Sequence, residues 1–503
     1  MLDIEALRRH LQARHRGRPV RCVQTHVSWV LLDGVHAWKI KKPVDLGFVD
    51  FRSLEQRRLA CAEELRLNRR LAPALYLDIV PVRAGAAGPR LDGDGAVIDH
   101  ALRMRQFADD ALLGRRLDAG RLEGSCIDRL AARLGAFHQQ APRAAADRPF
   151  GTPQGIEQAT ARVLAGLAAC GGDPRLAGLA GWCHAQAAAL RAAFVARRAH
   201  GWVREGHGDL HLDNLVDLGD EVTAFDCIEF DPALRWIDVQ SDIAFLTMDL
   251  QAHGRADLAW RFLDRWLERS GDFGGLAVHR YYAVYRALVR ALVAALRRAE
   301  GLPAPQADYL RVAERIGSAD DPRLLLTHGP SGSGKSFLAE RLLERVGAVR
   351  LRSDVERKRL FGLRAADPTT SLGERAYAAQ ATRRTYARLH AAAAVALRAG
   401  YPVIVDAAAL EAEERARFER LADRLGVPMC LLDCRASPEL LRARVQARRA
   451  RGGDASEADA AVLERQLASM RPLLARERAR AIVVDTGASP SIEAIAARWL
   501  AAR

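Results

Sequence analysis

Lysine is nearly missing from this chain. Of 76 basic residues only five are lysine (Lys39, Lys41, Lys42, Lys335 and Lys358), and the other 71 are arginine. Positions that need only positive charge have become Arg. An ammonium is a compact point charge on a flexible stem, and it fits between phosphate oxygens where a planar guanidinium fork does not. Each of the five lysines falls in or beside a segment that reads as phosphate handling, so they point to two separate nucleotide sites. Long apolar runs are also missing. No stretch of about 18 apolar residues occurs, which excludes a transmembrane helix. The first 21 residues carry charges throughout and no apolar h-region, so no secretory signal is expected. The eight cysteines are scattered, which excludes a disulfide framework and a paired CxxC zinc pattern. Cys430 and Cys434 lie in the apolar run MCLLDC and read as buried core thiols. A reducing cytoplasm is the expected compartment, with no membrane partner.

What is present suits a globular protein. The 503 residues suggest two to four domains, with 49% hydrophobic and 27% charged residues. Net charge is +14, but most of the Arg alternates with Ala and Glu at helical spacing, as in RRLACAEELRLNRR. Such runs are solvated helix faces, so nucleic-acid binding is not favoured on charge alone. Residues 20 to 50 read as short strands around a Gly turn, followed by a helix from about Arg52 to Leu71. More strands run from Tyr76 to Phe107, and the pattern is then helical and Ala-rich to about Val203. Two short motif-bearing segments follow, GHGDLHLDNL and VTAFDCIEF, and helices continue to about Ala299. At Leu324 the pattern changes to repeated strand–helix units, which places a domain boundary near residue 318.

The later segment carries the more specific motif. An apolar strand, LLLTH, runs into Gly329-Pro330-Ser331-Gly332-Ser333-Gly334-Lys335-Ser336, and a helix starts at once. This is the full phosphate-loop pattern in strand–loop–helix context. Its backbone N–H groups can curl around an anion at a helix N-terminus. Lys335 would reach the β- and γ-phosphates of ATP, and Ser336 the Mg²⁺. After the next strand, Asp354 and Arg357 lie three apart on one face of a first helical turn. Asp354 could orient or deprotonate an acceptor hydroxyl and Arg357 could hold an acceptor anion, although an Asp there also suits a helix cap. PVIVD ends at Asp406, a candidate for the Mg²⁺ water shell. Arg444 and Arg448 share a helix face and could close over phosphates, in a helix that also bears Arg442, Arg449 and Arg451 before GGDASEAD.

In the earlier segment the strongest run is His207-Gly208-Asp209-Leu210-His211-Leu212-Asp213-Asn214, with Asp226 delivered by the strand VTAF. An Asp, an Asn five residues on and a second Asp after a hairpin form the minimum set for a kinase-like site. Asp209 would orient the attacking hydroxyl, and Asn214 with Asp226 would hold Mg²⁺. A zinc pair from His207 and His211 is disfavoured, because the Gly-Asp interior is poor helix material and no Glu stands in the zincin position.

HGDLHLDN is similar to the H-G-D-x-x-x-x-N loop of the aminoglycoside phosphotransferase and choline kinase superfamily. The resemblance extends over about 300 residues. It implies Lys39 in AWKI as the phosphate lysine, with Lys41 as the alternative on the same strand face. It also implies Glu63 as its ion-pair partner, with Glu64 next, His138 in a C-lobe helix, and Asp238-x3-Asp242 after the metal Asp. The nucleotide-covering loop departs from the pattern, since Thr25 to Ser28 contain no glycine, and Asp226 is followed by Cys-Ile-Glu. The later segment resembles small P-loop kinases of the polynucleotide-kinase and zeta-toxin type, with a lid similar to gluconate and adenylate kinases. AAA-type ring ATPases share the loop, but the domain is too short for their helical lid subdomain. The whole arrangement resembles the bacterial bifunctional aminoglycoside phosphotransferase/ATP-binding protein group.

That resemblance implies an α+β bilobal protein-kinase-like domain over 1–318, with an N-lobe to about 107 and a C-lobe from about 108. An α/β P-loop kinase domain with a parallel sheet would follow over 319–503. It implies an ATP- and Mg²⁺-dependent kinase with two nucleotide sites, acting on hydroxyl groups of small-molecule acceptors. The alternatives are a nucleotide or nucleic-acid 5′-hydroxyl kinase in the P-loop half, or one half sensing nucleotide to regulate the other.

Overall fold

The structure, a computed structural model, describes residues 2–502 apart from 15–18, 46, 48, 366, 368–377, 452–455 and 457. By compactness the chain divides into two units, Met1–Ile156 with Phe194–Leu246, and Glu157–Ala193 with Thr247–Arg503. Residues 247–318, which the sequence pattern joins to the first domain, thus count with the second unit.

The first unit is α+β. Five strands form an antiparallel sheet: β1 (Arg21–Gln24), β2 (Ser28–Leu32), β3 (His36–Lys41), β4 (Tyr76–Arg83) and β5 (Val97–Arg105), in the order β1-β2-β3-β5-β4. Alternation along β3 sends Trp38 and Ile40 into an apolar cluster with Leu7, Leu11 and Leu31. Ala37 faces the other way, into a cluster with Leu75, Tyr76 and Leu102, and Lys39 and Lys41 share its face. The helix Leu54–Asn68 follows β3 in sequence. Ser53 starts it with a capping box, accepting from the Gln56 N–H while the Gln56 side chain accepts from the Ser53 N–H. Two short antiparallel pairs complete the strands, β6 (Val203–Glu205) with β9 (Trp236–Asp238), and β7 (Leu215–Asp217) with β8 (Val222–Ala224).

The second unit is built on a five-stranded parallel sheet: β10 (Leu324–His328), β11 (Val349–Arg352), β12 (Val403–Asp406), β13 (Met429–Arg435) and β14 (Ala481–Asp485), in the order β11-β12-β10-β13-β14. Apart from β11, which carries Arg350 and Arg352, its strands are mostly apolar, as buried parallel strands are. Leu325, Leu338, Ile404, Leu432 and Trp499 meet in one core, where Cys430 and Cys434 are buried too. The helix Ala256–Ser270 joins this unit: Trp260 packs edge-on against Tyr401 at 5.9 Å, and Asp264 pairs with Arg350 of β11. The eight cysteines are free thiols. Among the described residues no helix is long and apolar enough to cross a membrane.

Candidate functional site

Two constellations emerge, one in each unit. In the first, Lys39 Nζ lies 2.7 Å from Glu64 Oε1 and 2.5 Å from Asp226 Oδ1. Lys41 Nζ lies 2.6 Å from Glu64 Oε2 and also pairs with Glu229. Burial alone would lower both lysines, but Asp226 and Glu64 hold Lys39 well above its ordinary value, and Glu229 and Glu64 raise Lys41. Burial works against the Glu64 charge too, yet the two ammonium groups bring it down to about 2. For Glu229 burial prevails, and its carboxyl is pushed up. The pairing corrects one expectation, because the partner of Lys39 is Glu64 and not Glu63. Adjacent helical residues point about 100° apart. Glu63 therefore faces away and takes Arg66 at 2.7 Å and Arg235 at 2.8 Å. Lys41, the alternative on the same strand face, grips Glu64 as well.

The loop bearing Asp209 is fixed from below by a carboxylate. Asp242 Oδ2 accepts the His207 N–H at 2.7 Å and Oδ1 accepts the Gly208 N–H at 2.8 Å, while His138 Nε2 lies 3.3 Å from Oδ2. Burial opposes the Asp242 charge, but the His138 hydrogen bond and the neighbouring His138 and His207 hold its pKa at about 2. A Cβ on Gly206 would sit 2.4 Å from Asp242 Oδ2, and Gly208, at φ +88, would put one 2.6 Å from Leu234 O. Those contacts explain glycine at both places. The Asn214 amide nitrogen donates to Asp209 Oδ2 and Asp209 O, both at 2.9 Å, which turns its amide oxygen away from that carboxylate. His207 Nε2 lies 2.9 Å from Phe225 O, and the Phe225 N–H donates to Asn214 O at 3.0 Å. The hairpin β7–β8 thus brings Asp226 beside the loop. Asp226 itself has φ +63, the left-handed region that favours glycine, and its N–H donates to Tyr76 Oη at 3.0 Å. Sequence reading noted His138 and Asp242 but gave them no part in the site; the D-x3-D segment was the available signal.

In the second unit the loop after β10 turns on three glycines with positive φ, Gly329 at +133, Gly332 at +83 and Gly334 at +82. A Cβ on Gly329 would meet Cys434 O at 2.5 Å, and one on Gly332 would meet Leu441 O at 2.8 Å, so side chains there would close the cradle. Lys335 opens the helix Lys335–Val346, and its Nζ donates to Pro330 O at 2.8 Å and to Ser333 Oγ at 3.4 Å. Neither partner is charged, and burial lowers the lysine's pKa. The Ser336 hydroxyl donates to Asp406 Oδ1 at 3.1 Å, and the buried Asp406 Oδ2 makes no hydrogen bond among the described residues. A hydroxyl and a carboxylate side by side at the end of a phosphate cradle suit a hard divalent cation such as Mg²⁺.

The cradle opens on a cleft of about 1210 Å³ whose lining includes Lys335, Ser336, Asp354, Arg357 and Asp406. Asp354 and Arg357 lie in the helix Ser353–Leu360, whose cap residue is Arg352, so Asp354 sits in the first turn and is not the cap. Ser331 is held by its N–H to Gln466 Oε1 at 2.8 Å. The expected arginine pair divides. Arg444 reaches the loop, donating to Gly332 O at 3.2 Å and to Thr486 O at 2.6 Å. Arg448 lines the same cleft but donates to Ala458 O at 2.7 Å. Most of GGDASEAD (452–455 and 457) lies outside the described residues. Sequence reading missed Arg352, whose Nε is 3.6 Å from Asp406 Oδ2; nothing distinguishes it among the chain's arginines.

The AAA domain family matches residues 324–473, a span that includes the loop, Asp354, Arg357, Asp406 and both arginines. Among solved structures, a choline/ethanolamine kinase family protein from Mesorhizobium loti is 16% identical, covering 63% of this chain and 93% of that chain with a TM-score of 0.36. A gluconokinase from Sinorhizobium meliloti 1021 is 20% identical, covering 36% of this chain and 91% of that chain with a TM-score of 0.26. Two mycobacterial relatives span nearly the whole chain. They are described as uncharacterized protein Rv2004c of Mycobacterium tuberculosis (strain ATCC 25618 / H37Rv) and uncharacterized protein Mb2027c of Mycobacterium bovis (strain ATCC BAA-935 / AF2122/97). Each is 32% identical over 452 residues, which is 88% of this chain and 88% of the relative. With both constellations lying inside one continuous chain and a match of that extent, the chain belongs to the family of these mycobacterial proteins.

Proposed function

We propose that the protein is an ATP-dependent phosphotransferase with two nucleotide sites, and that it transfers phosphoryl groups to hydroxyls of small molecules in the cytoplasm. The observation that carries this reading is the second-unit cradle. A buried lysine hydrogen-bonded to a carbonyl and a hydroxyl, a Ser336–Asp406 pair and an open cleft bearing Asp354 and Arg357 stand together. Lys335 and the loop N–H groups hold the β- and γ-phosphates, and Arg444 braces the loop. Asp354 orients the acceptor hydroxyl and takes its proton as the bond from the acceptor oxygen to the γ-phosphorus forms and the bond from that phosphorus to the β,γ-bridging oxygen breaks, releasing ADP, while Arg357 holds an anionic group of the acceptor. Mg²⁺, held through Ser336 and Asp406, would neutralise charge on the phosphate oxygens.

In the first unit Lys39, kept in place by Glu64, aligns phosphates, and Asp209 orients the acceptor. Asn214 and Asp226 are the metal candidates there. Among the described residues no cluster of three or more His, Cys, Asp or Glu side chains is arranged for a metal ion, which suits a cation shared with a nucleotide rather than a resident one.

The test is phosphoryl transfer from γ-labelled ATP to pooled sugars, aminoglycosides, nucleosides and 5′-hydroxyl oligonucleotides. Product lost in Asp209→Asn assigns that chemistry to the first unit, and product lost in Lys335→Ala assigns it to the second. A labelled oligonucleotide would replace the small-molecule acceptor with a nucleic-acid end. Nucleotide binding with no labelled acceptor would overturn the transferase reading in favour of a nucleotide sensor.

A further inference from the structure

Two arginines alternate along β11 and point to one face, Arg350 and Arg352. Both are gripped by the helix Ala256–Ser270, which precedes the P-loop strand by some fifty residues in the chain. Arg350 is buried against Asp264 at 2.7 Å, reaches Glu268 at 3.3 Å, and donates to the backbone oxygen of Ser336 at 3.4 Å. Arg352 Nη1 lies 3.1 Å from Glu268 Oε1, and its Nε lies 3.6 Å from Asp406 Oδ2. Glu268 Oε2 also meets Arg265 at 3.3 Å. The same Asp406 takes the Ser336 hydroxyl on its other oxygen.

One guanidinium therefore stands between two carboxylates, hydrogen-bonded to Glu268 and too far from Asp406 for a hydrogen bond. An Arg–carboxylate pair at closer range is strong and often bidentate. A guanidinium that closed on Asp406 would compete with any cation for that oxygen. Glu268 sets the balance, because its charge draws Arg352 the other way. Asp264 and Glu268 are four residues apart on one helix face, so the helix holds both arginines at once.

We propose that Glu268 is a positioning residue for the P-loop site: it holds Arg352 back from Asp406 and keeps that carboxylate available to a divalent cation on the nucleotide. The proposal rests on the reading of Ser336 and Asp406 as cation-holding groups. It adds that the site is completed by a side chain from outside the P-loop segment, on a helix that the sequence pattern assigns to the preceding domain.

The experiment is a MgCl₂ titration of fluorescent mant-ADP binding to the full chain, with a parallel series in EDTA, scoring only the binding that Lys335→Ala abolishes. In Glu268→Gln the Mg²⁺ concentration for half-maximal binding rises about tenfold, a typical coupling between contacting charges, while binding in EDTA is unchanged. Arg352→Met has the opposite effect and lowers the Mg²⁺ requirement, and Glu268→Gln with Arg352→Met behaves as Arg352→Met alone, because Glu268 acts through that guanidinium. Arg352→Met alone tests the idea should Glu268→Gln fail to fold. The proposal is overturned by an unchanged Mg²⁺ requirement, by equal weakening with and without Mg²⁺, or by a double variant no better than Glu268→Gln. Wild-type protein with no binding sensitive to Lys335→Ala overturns the nucleotide-site reading itself, which separates the two failures.

Discussion

Both units bury a lysine where a phosphate would be handled, and they treat its charge in opposite ways. In the first unit the protein supplies the counter-charge, since Lys39 and Lys41 share Glu64 and are flanked by Asp226 and Glu229. In the second, the hydrogen bonds of Lys335 go to a carbonyl and a hydroxyl, and its burial outweighs the nearby Asp406 and Asp354. Consequently Lys39 is raised well above the ordinary lysine value, and Lys335 is lowered. A lysine already paired serves as a fixed anchor whose geometry the fold sets. A lysine with neutral partners gains its counter-ion from whatever anion enters the loop. The difference teaches that burial of a cation says little until its partners are named.

That contrast can be broken or sharpened experimentally. The largest effect is expected for Lys335→Ala, which should reduce phosphoryl transfer by the second unit about 100-fold or more, the usual scale for removing one charge-stabilising donor. Product formation in Asp209→Asn should leave that activity in place, and equal loss in both variants would sink the two-site reading. Next, Glu64→Gln should destabilise the first unit by about 3–5 kcal/mol, because it leaves buried ammonium groups short of a partner. Glu63→Gln, whose carboxylate is shared between the half-exposed Arg66 and the buried Arg235, should cost less, about 1–2 kcal/mol. Urea unfolding of the two variants reads the difference, and a reversed order would restore Glu63 as the partner.

A pH series separates the units further. Glu64 and Asp242 fall from ordinary values of 4.5 and 3.8 to about 2 in the folded state. Their contribution is fully present above the ordinary values and is lost as pH falls through the folded value. Urea midpoints for the first unit should therefore drop between about pH 4.5 and pH 2. In the second unit the direction is set by Lys335. A phosphate needs the ammonium, so nucleotide affinity should weaken as pH rises through the lowered lysine pKa, below the range where an ordinary lysine titrates. Mant-ADP binding measured from neutral to alkaline pH checks this; affinity that holds up to the ordinary lysine range contradicts it. A small effect is expected for Ser53→Ala, which removes the cap of the helix carrying Glu64. A loss of about 1 kcal/mol is expected, by urea melts.

Much of this was legible in the chain itself. The glycine loop between an apolar strand and a helix announces its own geometry, because glycines, lysine and context all agree. The parallel sheet follows from apolar strands separated by helices. HGDLHLDN and the strand before Asp226 place the loop and hairpin of the first site. Helix phase was not legible where two glutamates are adjacent. Leu54–Asn68 carries charged residues nearly all round, so nothing in its pattern says which of Glu63 and Glu64 turns inward. Pairings between distant elements were hidden for another reason. With 71 arginines available, the sequence does not single out Arg350 or Arg352, nor connect them to Asp264 and Glu268. Charge pairing at that distance depends on packing, and local periodicity carries no record of it.

The compact units also interleave along the chain, with 157–193 and 247–503 on one side and the remainder on the other. That order has a consequence on the ribosome. Residues 157–193 are made before the rest of their unit, and the stretch up to 246 intervenes. At about 5–20 residues per second, the delay before residue 247 is added is several seconds. During that interval the nascent chain holds an early segment without its eventual companions, while the first unit gathers its last residues. A gene cut near residue 318 would yield two polypeptides, neither carrying one whole unit and nothing else. Co-expressed, the pieces should assemble through complementation; expressed singly, the later piece should depend on chaperones.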